Sequence, residues 1–243
     1  MNIKLNCDMG ESFGIWKMGL DEEIMPYVDM ANLACGFHAS DALTMQKSVR
    51  LACENDVEIG VHPGYPDISG FGRRSMNCSF EEIETLVLYQ MGALSAFCKA
   101  NGTAFTYVKP HGALYNDMMK NEMVFKAILT AISSYDKSLK LMILSTSKGE
   151  KYEKVANSFG IELLFEVFAD RNYNKDGTLV SRTFEHAVIH EIDVVLNRIK
   201  ILKNEGYLVS HSGEKLYIKS DVICVHGDNQ EALEFIKTLR GCL

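Results

Sequence analysis

At 243 residues, 47% hydrophobic and 23% charged, the chain can bury a large core and matches the ~250 residues typical of one α/β barrel. A formal net charge of -7 argues against a nucleic-acid partner, which needs a basic patch, and no stretch approaches the ~20 apolar residues of a membrane span. Lys4 and Asp8 interrupt any apolar signal core, and seven scattered cysteines with no C-x-x-C read as small buried hydrophobes, so a cytoplasmic protein is expected.

Apolar, strand-like runs recur along the chain and keep ending in reactive side chains. Ile3 to Cys7 ends at Asp8, Met30 to Phe37 at His38, and Val57 to Val61 at His62. Phe105 to Val108 runs into Lys109-Pro110-His111, Leu163 to Phe168 into Asp170-Arg171, and Val222 to Val225 into His226-Gly227-Asp228. Only Leu141 to Leu144 ends blandly, in Ser145-Thr146-Ser147.

Helical spacing fills the gaps: Ala42, Met45, Val49 and Ala52; Ile83, Leu86, Val87, Leu94 and Phe97; Val124, Ile128 and Ala131; Ile189, Ile192, Val195 and Leu196; Leu233, Ile236 and Leu239. A weaker helix spans Gly149 to Phe159. Ser79 and Glu82 form a capping-box pattern at the start of the second helix. Short antiparallel pieces are expected over Asp176 to Arg182 and over Tyr207 to Lys219.

Continuously apolar strands alternating with helices indicate parallel strands buried on both faces. Reactive endings occur all along the chain and not at one switch point, which favours a closed, TIM-like α/β barrel of about seven βα units over a doubly wound sheet. No linker, repeat or charge block divides residues 1–243, so they are read as one domain. In such a barrel the strand ends open on one face, and Asp8, His38, His62, Lys109 and His111 are delivered there together.

Several segments carry a family resemblance: Asn6 to Gly14 with Glu11, Ala31 to Ala39, His62 to Asp67, Gly70 to Arg74, Lys109 to Asn116, Phe168 to Arg171 and His226 to Asp228. Seven motifs in order, from first residues to last, resemble the LamB/YcsF family. The chain departs from the family pattern at Met30, Ser40 and Val61, where serine, glycine and alanine are usual; none replaces a reactive side chain.

The resemblance implies a barrel similar to those of glycoside hydrolases and polysaccharide deacetylases. It also implies the role of the A subunit in an ATP-dependent 5-oxoprolinase, which opens 5-oxoproline to glutamate with partner subunits B and C. On that reading Asp8, His38 and His62 activate water or hold a divalent metal, and Lys109 and His111 act as electrophile or proton donor. Arg73 and Arg74 clamp carboxylate or phosphate, with Asn6, Glu11, Asp170, Arg171 and His226 as further binding residues. No P-loop, Rossmann glycine fingerprint or G-x-S-x-G elbow is present, so ATP uses a non-standard site here or is bound by the partner subunits.

The same residues admit a metal-dependent deacetylase acting on a carbohydrate amide, or a non-catalytic lactam-binding subunit. His186 and His190 stand four apart on an expected helix, but the glutamate of H-E-x-x-H is missing and a solvated face is favoured.

Overall fold

The computed structural model describes residues 3–181, 183–225 and 230–242. Among them, seven parallel strands close into a barrel: β1 (Lys4–Met9), β2 (Met30–Ala34), β3 (Glu58–His62), β4 (Tyr107–Val108), β5 (Lys140–Leu144), β6 (Glu162–Phe168) and, after a short antiparallel hairpin of β7 (Leu208–Val209) and β8 (Lys215–Leu216), β9 (Val222–Val225). β9 lies between β6 and β1, with Phe168 opposite Cys224 and Leu5 opposite Ile223. The expected barrel of seven βα units is the observed one; the hairpin falls within the predicted Tyr207 to Lys219 stretch, and a Tyr173–Leu179 antiparallel bridge reaches the predicted Asp176 to Arg182 stretch with one partner only.

The helices are α1 (Asp21–Ile24), α2 (Ala42–Glu54), α3 (Phe80–Ala100), α4 (Gly112–Lys120), α5 (Glu122–Tyr135), α6 (Gly149–Ser158), α7 (Ile192–Glu205) and α8 (Gln230–Arg240). The Asp41 carboxylate caps α2 by accepting from the Thr44 amide, and the Ser79–Glu82 capping box opens α3 as the sequence predicts. Their apolar stripes, such as Met45, Val49 and Ala52 on α2 or Ile83, Val87, Met91 and Leu94 on α3, are buried in the core around the barrel. No helix among the described residues is long and apolar enough to cross a membrane.

Three readings need correction. The Met30 run leaves the sheet at Ala34, so Cys35 to His38 form a loop in which Gly36 takes φ +90°. α4 has no counterpart among the predicted helices. Ile189 precedes α7 instead of starting it: His186 sits in a single 3₁₀ turn (Glu185–Ala187) and His190 in the loop beyond, so the two histidines share no helical face.

Side-chain alternation divides each strand between the helix layer and the lumen. Toward the strand starts, Met30, Tyr107, Met142 and Val222 form a small apolar cluster of their own, with Leu164 packed against it. Gly60 makes room for it, since a Cβ there would stand 2.2 Å from the Tyr107 ring. Two residues further along these strands come Asn32, Lys109, Glu166 and Cys224, with Asn6 beside them, all buried, and beyond them Asp8 and His62. The lumen therefore grades from apolar to polar and charged toward the strand C-terminal ends.

Candidate functional site

Lys109, just past β4, is the hub of the polar layer. Its Nζ lies 2.8 Å from Asp8 Oδ1, 2.8 Å from Glu166 Oε1, 3.1 Å from Asn6 Oδ1 and 3.4 Å from Cys224 Sγ. Burial alone would push this ammonium's pKa down; Asp8, Cys224 and Glu166 outweigh burial and hold it well above the ordinary lysine value. Burial likewise raises the Cys224 thiol and keeps it uncharged at neutral pH, so the two carboxylates supply the compensating charge. Asn32 Nδ2 donates to both Asn6 Oδ1 and Asp8 Oδ1 at 2.7 Å, and Asn32 Oδ1 accepts from the Tyr107 hydroxyl. Tyr115, reaching in from α4, donates to Glu166 Oε2 at 2.8 Å.

Above this layer the histidines gather. His62 Nδ1 is 2.6 Å from the Lys109 carbonyl, and His62 Nε2 is 3.0 Å from His111 Nδ1 and 3.4 Å from Asp8 Oδ2. His111 Nε2 meets the Phe71 carbonyl at 2.8 Å. His38 lies flat on His111, ring centroids 3.8 Å apart and planes within 3°. Glu11 Oε1 is 3.6 Å from His38 Nε2 and 3.6 Å from His111 Nδ1. Gly72, at φ +62°, is required here: a Cβ would stand 2.7 Å from His38 and 2.8 Å from His111. Burial, then the neighbouring imidazoles, lower His38 well below the ordinary histidine value; burial and His62 push His111 down to about 3. Both are neutral at physiological pH, each ring keeping one N–H and one lone pair.

A cavity of about 740 Å³ opens over these groups, lined by Asp8, Glu11, His62, Lys109 and His111 and flanked by Lys17, Arg73 and Arg171. It is far larger than a small lactam acid requires. Glu11, His38, His62 and His111 place one ligand atom each within 4.8 Å of one another, a group able to hold a metal ion. Of the metal candidates expected from sequence, His38 and His62 fall in this group beside Glu11 and His111; Asp8 Oδ1 is engaged by Lys109 and Asn32, and Asp8 Oδ2 stands 3.4 Å from His62 Nε2.

The remaining predicted residues divide. Arg73 is exposed at the cavity, its guanidinium 5.4 Å over the Phe71 ring, and among the described residues no carboxylate pairs with it. Arg74 is instead bound to Asp67, with which it forms an ion pair and several hydrogen bonds. Arg171 is buried and donates to the Val180 and Ala187 carbonyls, while the Asp170 carbonyl accepts from Ile189 N–H. His226 lies outside the described residues. Sequence reading missed Glu166, Asn32, Tyr107 and Tyr115; the one available signal was Glu166 itself, a carboxylate inside an apolar run that had to find a cation. Lys17 carried no signal.

Comparison with known proteins agrees with the fold. The LamB/YcsF family model matches residues 3–243. A Vibrio campbellii protein named as the A subunit of 5-oxoprolinase is 50% identical over 241 residues, spanning 99% of this chain and 95% of that protein. A Chromohalobacter salexigens protein of the same name is 48% identical over 236 residues, 97% of this chain and 94% of that one. The crystal structure of a lactam utilization protein from Thermus thermophilus superposes with a TM-score of 0.93 at 39% identity, covering 100% of this chain and 96% of that chain.

Proposed function

The chain belongs to the LamB/YcsF family, and from that premise we propose that it is the lactam-opening subunit of a cytoplasmic, ATP-dependent 5-oxoprolinase working with two further subunits, B and C. The full-length likeness to proteins named as the A subunit of 5-oxoprolinase carries this reading. Seven free cysteines and an acidic net charge accord with a reducing, intracellular setting.

The chemistry explains why such a pocket is needed. A five-membered lactam is an unactivated amide whose closure is intramolecular, an advantage that reaches ~7–11 kcal/mol in well-oriented systems. Transfer of the ATP terminal phosphoryl group to the lactam oxygen releases ADP and activates the ring carbon. Water then adds to that carbon and gives its proton to a base; the C–N bond breaks, the nitrogen leaving with a proton. A second water cleaves the resulting acyl phosphate to glutamate and phosphate.

Asp8 is the base in this scheme. Its Oδ1 is fixed by Asn32 and Lys109, which orients the carboxylate on the cavity wall. Lys109, held charged by two carboxylates, supplies a fixed positive field where the carbonyl oxygen gains negative charge; with its raised pKa it is the electrophile of the pair and not the proton donor. Arg73, Lys17 and Arg171 meet the substrate carboxylate and the transferred phosphate along the cavity. The rest of the nucleotide is left to the partner subunits, since the chain carries none of the glycine-rich phosphate loops.

Glutamate release from 5-oxoproline by this chain with subunits B and C and ATP tests the reading. Turnover is expected only from the complete mixture, and a complete mixture that releases none ends the assignment.

A further inference from the structure

The two buried imidazoles at the cavity floor have their protons fixed by backbone. A carbonyl oxygen only accepts, so His62 Nδ1, 2.6 Å from the Lys109 carbonyl, and His111 Nε2, 2.8 Å from the Phe71 carbonyl, must each carry the N–H. In neutral rings the other nitrogens, His62 Nε2 and His111 Nδ1, present lone pairs to each other only 3.0 Å apart. Two lone pairs at that distance repel unless a cation stands between them. An imidazole that donates its far N–H to a backbone carbonyl while presenting its near nitrogen inward is the arrangement of a metal-ligating histidine.

We propose that Glu11, His62 and His111 bind one divalent transition-metal ion of the zinc type, with a fourth coordination position open to the cavity. Ligands ~2.1 Å from an ion in tetrahedral geometry are ~3.4 Å apart. The structure holds His62 Nε2 and His111 Nδ1 at 3.0 Å, and Glu11 Oε1 and His111 Nδ1 at 3.6 Å, which brackets that spacing. His38 is excluded from the set by its own geometry: stacked flat on His111, its in-plane lone pairs run parallel to those of His111 and do not meet them at one point. It is also the member of the four-residue cluster that does not line the cavity, whereas Glu11, His62 and His111 all do. Two imidazoles and one carboxylate suit zinc-type ions, and three protein ligands with one open position is the pattern of sites that act on a substrate and not merely hold structure together.

The inference concerns the cavity of the proposed reaction but does not depend on the lactam being the substrate, because metal binding is read by dialysis and lactam opening by glutamate release. The chain is stripped with a chelator, dialysed against zinc, and its metal content measured by mass spectrometry; cobalt substitution is followed by visible absorption. One equivalent per chain and a four-coordinate cobalt spectrum are expected, together with a zinc-dependent rise in melting temperature. Glu11→Gln, at a partly exposed position where the fold is not at risk, lowers the affinity by about a hundredfold, as do His62→Ala and His111→Ala, while His38→Ala keeps the equivalent. A wild-type chain that retains no zinc overturns the proposal and leaves a shared proton between the two imidazoles. Zinc that persists in the Glu11, His62 and His111 variants, or is lost in His38→Ala, overturns the ligand assignment.

Discussion

Lys109 Nζ and Glu166 Oε1 meet 2.8 Å apart in the barrel lumen, joining the end of β4 to the middle of β6 between two buried side chains. Neither charge is tolerable there alone, and Glu166 has a second tie through Tyr115 on α4. The pair therefore couples the position of the lysine beside Asp8 to the packing of two strands and a helix.

Breaking that pair from one side is expected to be costly. Glu166→Ala leaves a buried ammonium with Asp8 as its sole carboxylate and should destabilise the chain by ~3–5 kcal/mol in urea unfolding. Glu166→Leu combined with Lys109→Met should restore most of that stability, because an apolar pair removes both desolvation penalties, yet glutamate release should stay abolished. A double variant as unstable as the single one would show that the pair is not the coupled unit described.

Asp8→Asn keeps the shape and one acceptor for Asn32 and Lys109 but removes the base. We expect kcat for glutamate release in the assembled complex to fall by a factor on the order of 10²–10⁴, with KM changed little. An unchanged kcat would remove Asp8 from the proton-transfer role.

Arg73 and Arg74 are neighbours in sequence with separate tasks. Arg73→Ala should raise KM for 5-oxoproline or ATP by roughly tenfold and leave the melting temperature unchanged, since its guanidinium faces the cavity. Arg74→Ala should instead loosen the 67–74 loop that its Asp67 contacts hold, detected as faster amide exchange there. Equal KM effects from both variants would contradict this division.

How much of this could be read from sequence follows from the barrel's geometry. Residues at or beside a strand's C-terminal end lie at the rim, so Asp8, His62 and Lys109 announce themselves as polar stops after apolar runs. Glu166 and Asn32 stand out as single polar residues within those runs, but nothing in the runs names the partners they meet in the lumen, and Tyr107 does not stand out among apolar neighbours buried on both faces. Glu11 lies in a loop, and its approach to His111, a hundred positions along the chain, depends on barrel closure. Arg74 misleads for a local reason: the 3₁₀ turn Ile68–Gly70 folds Asp67 back beneath it.

Ser40 holds a backbone conformation with a physical consequence. Its φ of +75° lies in the left-handed region, where a glycine has no Cβ strain. Ser40→Gly should raise the melting temperature by ~1–3 °C, the relief of strain exceeding the added chain entropy of glycine. A fall in melting temperature would mean that the buried side chain contributes more than the strain costs.

The acid branch of the stability profile depends in part on Asp21, at the start of α1. Burial raises its pKa from 3.8 to about 6; the hydrogen bond from the Gly10 amide opposes the shift, and Glu22 and Glu23 add to it. Below 3.8 the group is protonated whether the chain is folded or not, and the folded state bears no penalty. As pH rises the unfolded chain ionises first, so folding loses stability across the window from 3.8 to about 6 and is constant above it. Solvent screening at a half-buried site limits the loss to ~1–2 kcal/mol. Asp21→Asn keeps the acceptor for Gly10 without the titration, so its urea midpoint, compared with that of the parent chain, should be similar near about pH 3.5 and higher near about pH 7. Parallel pH profiles for the two proteins would show that Asp21 ionises as freely in the folded chain as in the unfolded one.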